Sequence, residues 1–105
     1  MATANPLVLF KLRAALDKQY GDRVERIVLF GSRARGDARS DSDYDVAVFL
    51  KNLSDRWGEA DKIAVIATDI LSETGEVIHA MPYLAGSYED RTPLMHELRR
   101  EGRDL

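Results

Sequence analysis

The chain has 105 residues, 45% apolar and 31% charged, with no cysteine and a formal net charge of −3. That length supports one domain over residues 1–105, and the missing cysteines exclude disulfides and thiolate metal sites, so a reducing cytoplasm is the expected setting. The apolar runs are too short to cross a bilayer, and the negative balance argues against nucleic acid as a partner. The N-terminal "MATANPLVLFKLR" has no basic residue ahead of its apolar patch and does not read as a signal peptide.

The first predicted element is a helix over residues 6–20, with Asn5 as its cap and Pro6 in its first turn. Val8, Leu12, Ala15, Leu16 and Gln19 share its stripe. Gly21 and Asp22 break it. "VERIVLF", residues 24–30, reads as a buried strand ended sharply by Gly31-Ser32. A short helical turn and a polar loop fill residues 32–44. The next strand is "YDVAVFL", residues 44–50, with Asp45, Ala47 and Phe49 on one face and Tyr44, Val46, Val48 and Leu50 on the other.

Ser54 or Asp55 caps a long helix running to about Ser72. Its stripe of Trp57, Ala60, Ala64, Ala67 and Leu71, joined by Ile63, Ile66 and Ile70, is expected to face the core. Gly75 stops that helix, and "EVIHAMPYL", residues 76–84, forms a third strand. Thr92-Pro93 starts a final helix closed by Gly102, with the basic pair of "LRRE" favourably placed at its C-terminal end. The order predicts an α/β (α+β) fold, a mixed sheet with flanking helices; strand order is not legible.

Two features carry chemistry. Asp43-x-Asp45 stands at the start of a strand, where residues two apart share a face, so both carboxylates can point at one spot. Bare, each raises the other's pKa; with Mg²⁺ between them they are ordinary oxygen ligands. Mg²⁺ usually takes one or two carboxylates together with substrate phosphates, which suggests a nucleotide. Gly31-Ser32 follows a buried strand directly, and the amides opening the next turn, with the Ser32 hydroxyl, can hold an anion. Arg33 and Arg35 follow; either contacts phosphates, or they belong with Arg39 to a charge-balanced loop. A phosphate site beside a metal site is equipment for phosphoryl or nucleotidyl transfer.

"GSRARGDARSDSDYDVAV" resembles the signature of the minimal nucleotidyltransferases, within the DNA polymerase β-like superfamily. That pattern is Gly-Ser, ten residues, Asp-x-Asp and an apolar strand, and Gly31, Ser32, Asp43 and Asp45 match it position by position. The resemblance implies a small palm-like domain. Asp43 and Asp45 would bind Mg²⁺, Gly31 and Ser32 would hold the triphosphate of ATP, and a hydroxyl would attack the α-phosphate. It also implies a partner. Such minimal enzymes are often paired with a HEPN-domain protein, a toxic RNase, and act as antitoxins by attaching AMP to a tyrosine of the toxin.

The family usually carries a third acidic residue on a later strand, and here "GEVIHAMPYL" offers only Glu76. Three readings follow. Glu76 substitutes; or His79 acts as base, as a neutral imidazole can near neutral pH; or the site mostly binds nucleotide and neutralises its partner by complex formation. His79 also has a plainer reading as a half-buried strand residue bonded to a neighbour. Transfer to a small molecule, aminoglycoside-like, is a further alternative, for which no acceptor domain is visible.

Overall fold

Helix α1 (Pro6–Tyr20) starts where Asn5 and Pro6 place it, with the Asn5 side chain accepting from the Leu7 amide at 2.9 Å. The computed structural model describes residues 4–105; the first three residues of the N-terminal segment read above lie outside it. The α1 stripe buries Val8, Leu12, Leu16 and Tyr20. Tyr20 ends the stripe in place of Gln19, because its ring continues the apolar face one residue further round.

A 3-10 turn (Gly21–Arg23) leads into β1 (Val24–Phe30), followed by α2 (Ser32–Arg35) and β2 (Tyr44–Leu50). Helix α3 (Arg56–Thr74) is capped by Asp55, which accepts from the Gly58 amide at 3.0 Å, and it crosses over to β3 (Ile78–Leu84). Helix α4 (Pro93–Glu101), capped by Thr92, precedes a two-residue strand, β4 (Arg103–Asp104), that the sequence pattern does not announce. The third strand begins at Ile78, so Glu76 lies in the turn ahead of it.

The four strands form one mixed sheet in the order β3-β2-β1-β4. β1 runs antiparallel to β2 and to β4, while β2 and β3 are parallel, and α3 supplies the crossover that a parallel pair needs. One sheet face presents Ile27, Leu29, Val46, Val48, Leu50 and Ile78 to α1 and α3. Each such fully buried aliphatic side chain contributes about 1.5–3 kcal/mol. The opposite face packs Val28, Ala47 and Phe49 against Met95 and Leu98 of α4. By alternation Asp45 and His79 belong to that second face, which α4 only partly covers.

The α3 stripe divides. Ile63 and Ile70 reach the core, but Trp57 is 70% exposed and Leu71 is also exposed. The helix lies on the sheet along its isoleucines, which turns the Trp57–Leu71 row toward the β3 edge. Among the described residues, no helix is long and apolar enough to cross a membrane.

Candidate active site

The antiparallel register pairs Phe30 with Asp45, which brings the end of β1 beside the beginning of β2. Gly31 then turns with φ +73°, and a Cβ built there would stand 2.5 Å from Asp45 Oδ2. Glycine is therefore required twice, for the left-handed backbone and for the space the carboxylate occupies. The Gly31 carbonyl accepts from the amides of Ala34 and Arg35, both at 3.1 Å, closing a tight turn.

Asp43 is exposed, one residue ahead of β2, while the Asp45 side chain keeps 37% of its surface. Burial pushes the Asp45 carboxyl above its ordinary range; His79 offsets part of this, Asp43 and Glu97 add to it, and Arg35 counters. A carboxylate made uncomfortable by burial and by like charge is one that a cation relieves. Among the described residues, no three His, Asp or Glu side chains converge to hold a metal by themselves. The residues fit an ion of the Mg²⁺ type, which takes two protein carboxylates and draws its remaining ligands from phosphates and water.

His79 occupies the place where a third acidic residue was sought. The parallel register sets it directly opposite Asp45, with Nδ1 4.0 Å from Asp45 Oδ1. Its side chain is 69% exposed, so the reading of a half-buried strand histidine is corrected. The face is open there because α4 packs further along the sheet.

Glu76 and Arg33 meet each other instead of the aspartates. Arg33 is 3% exposed. Its Nε and Nη2 donate to the Ser42 carbonyl at 3.2 and 3.0 Å, Nη2 also donates to the Ser40 carbonyl at 3.1 Å, and Glu76 Oε2 lies 3.3 Å from Nη2. Arg33, read as a phosphate contact, and Glu76, read as a third carboxylate, are thus engaged with each other in this structure. Residues two apart on a helix leave it about 200° apart, so Arg33 turns inward and Arg35 outward.

Residues 9–93 match the model of the nucleotidyltransferase domain. The chain belongs to the nucleotidyltransferase domain family. It is 38% identical over 69 residues to a Methanocaldococcus jannaschii protein described as a candidate protein adenylyltransferase, covering 64% of this chain and 61% of that protein. The matched region thus spans less than two thirds of the relative's length. Among solved structures, a chain from a toxin–antitoxin complex with AMP-PNP superposes with TM-score 0.59 at 21% identity, covering 96% of this chain and 72% of its own. A candidate nucleotidyltransferase from Sulfolobus solfataricus gives 0.55 at 17% identity, over 93% and 76%. A complex of a tri-AMPylated Shewanella oneidensis HEPN toxin with its MNT antitoxin gives 0.51 at 17%, over 92% and 70%. At such identities these structures establish the fold.

Two further features of this nucleotidyltransferase domain were not legible in its sequence. Arg35 bridges α2 to α4, with Nη1 3.2 Å from Glu101 Oε2 and 3.9 Å from Glu97 Oε1, and Nε 3.2 Å from Asp37. Those contacts hold the Glu101 carboxyl below its usual range. The four-residue spacing of Glu97 and Glu101 puts them on one face of α4, but nothing in the sequence says which element that face meets. The second feature is an apolar groove of about 440 Å³ between α3 and β3, lined by Trp57, Ala64, Leu71, Val77 and Met81 and reaching His79. His79 thus borders both the groove and Asp45.

Proposed function

We propose that this nucleotidyltransferase domain transfers AMP from Mg²⁺-bound ATP to a protein hydroxyl in the cytoplasm, the acceptor being a tyrosine of a HEPN-type toxin for which it is the antitoxin. One observation carries the reading: the Asp45 carboxylate lies against the Gly31 backbone where α2 begins, with Asp43 beside it and His79 facing it. A cation site and an anion site then share one corner. The relative described as a protein adenylyltransferase supports a protein acceptor. So does the groove, whose exposed tryptophan suits the apolar surface of a protein better than a polar small molecule.

In this reading Asp43 and Asp45 hold the metal, and the Gly31 turn with the Ser32 hydroxyl receives the triphosphate. Mg²⁺, when bound, offsets charge on the reacting phosphate and orients the attacking and leaving oxygens. The acceptor oxygen bonds to the α-phosphorus, the bond from that phosphorus to the bridging oxygen breaks, and pyrophosphate leaves with the electron pair. His79, exposed beside Asp45, takes the acceptor's proton.

Purified protein with labelled ATP, Mg²⁺ and the HEPN partner is expected to yield labelled partner. The double variant Asp43→Asn with Asp45→Asn is expected to yield none, and undiminished labelling in that variant refutes the assignment. A second reading is favoured by His79 standing where a carboxylate would complete the set: the chain neutralises its partner by complex formation alone. Neutralisation kept by the same variant, with no AMP on the partner's intact mass, supports that reading.

A further inference from the structure

Asp43 sits in an exposed loop, so its aim depends on how firmly the backbone on each side is held. On its C-terminal side the hold is evident. The Tyr44 amide donates to the Val77 carbonyl at 2.9 Å, and the buried Tyr44 hydroxyl accepts from the Asn5 amide at 2.9 Å. On its N-terminal side the peptide carbonyl is that of Ser42, and two nitrogens of Arg33 grip it. The same guanidinium holds the Ser40 carbonyl and lies over the Tyr44 ring, 4.5 Å from its centroid. One buried side chain therefore touches the residue before Asp43 and the residue after it.

We propose that Arg33 is a positioning residue that aims Asp43 at the metal, and that Glu76 is its counter-ion. This rests on the reading of Asp43 as a metal ligand. A planar guanidinium can donate to two carbonyls and stack on a ring at once, which no other side chain does. The cation is nearly excluded from water and needs a negative partner, and Glu76, in the turn between α3 and β3, supplies one. The acidic residue that sequence reasoning offered as a third catalytic carboxylate thus works one layer further from the chemistry. A loop with polar carbonyls turned inward and carboxylates turned outward follows from the same contacts. The arginine takes the carbonyls, and Asp43 is left facing solvent.

The test is Arg33→Lys, which keeps the charge and loses the fork. Amide hydrogen exchange in the ligand-free protein is expected to rise about tenfold at Ser42, Asp43 and Tyr44, the effect of losing roughly one charge-assisted hydrogen bond. The Mg²⁺ concentration for half-maximal ATP binding is expected to rise by a similar factor, with kcat recovered at saturating Mg²⁺. A folded Arg33→Lys protein with an unchanged Mg²⁺ midpoint overturns the inference. So does a weakened ATP affinity of equal size at every Mg²⁺ concentration, which marks a phosphate contact. Should Arg33→Lys not fold, Glu76→Gln carries the same measurement, with a higher midpoint expected and an unchanged one overturning. Wild-type protein that takes up no Mg²⁺ and ATP refutes the functional reading of the site. Loop exchange unchanged in the variant refutes the role of Arg33 whatever the wild type binds.

Discussion

His79 faces Asp45 across the parallel β2–β3 pair, its Nδ1 4.0 Å from the carboxylate oxygen Oδ1. Parallel strands in register place same-face side chains side by side, so a residue at position 79 can share whatever Asp45 holds. As general base, His79 is expected to contribute about 10²–10⁴-fold to kcat. His79→Ala should show that loss with ATP binding retained. His79→Asp should restore activity. Single-turnover kcat for the three proteins checks this; equal kcat in His79→Ala refutes the base.

Gly31→Ala tests the corner itself. The methyl group would stand 2.5 Å from Asp45 Oδ2 on a backbone at φ +73°, so both strain and collision oppose it. The expected cost is ~1–3 kcal/mol of stability, read as a lower denaturant midpoint. Nucleotidyl transfer is expected to fall by more than the unfolded fraction explains, because Asp45 must swing away. Urea titration beside single-turnover transfer separates the two.

Asp45 also makes a prediction about pH. Burial, chiefly, raises its carboxyl above the ordinary range. A group with a raised folded value contributes stability that is full below its unfolded value and lost as pH rises through the folded one. Ionised at neutral pH, Asp45 therefore weighs against the metal-free fold. Asp45→Asn is expected to raise the melting temperature of metal-free protein at neutral pH, with the gain vanishing at pH ~4 and below, and to abolish stabilisation by Mg²⁺ and ATP. Calorimetric scans across pH, with and without ligand, decide it; a lower melting temperature at neutral pH contradicts the burial account.

On the proposed function, Trp57 offers a way to separate partner binding from chemistry. It lines the α3–β3 groove, and the Arg56 guanidinium stands 5.6 Å from its ring. An exposed tryptophan beside an arginine is the residue type that dominates interfaces. Trp57→Ala is expected to weaken the complex with the proposed HEPN-type partner about tenfold or more while leaving ATP binding intact. Equal affinity in a calorimetric titration removes the groove from the interface.

Local pattern is legible in the sequence wherever a single element decides the outcome. The Asn5, Asp55 and Thr92 caps and the strand at Tyr44–Leu50 depend on neighbours close in sequence. The apolar stripe of α3 is broader than the face it buries, because alanine and tryptophan at helical spacing are apolar whichever neighbour they meet. The third strand starts two residues later than the pattern predicts, since Glu76 and Val77 do not differ in pattern from a strand's first residues. β4 has two residues and is held by its pairing with Val28 and Leu29, which no local propensity encodes.

From its sequence alone this chain specified Gly31-Ser32, the ten-residue spacer and Asp43-x-Asp45, because a tight turn and a same-face carboxylate pair are matters of backbone and spacing within one stretch. Which side chains join them depended on strand order and on the rotation of a four-residue helix. Those are decided by burial of the whole sheet, and they brought His79 to Asp45, took Arg33 and Glu76 to each other, and left the Trp57 row open to solvent.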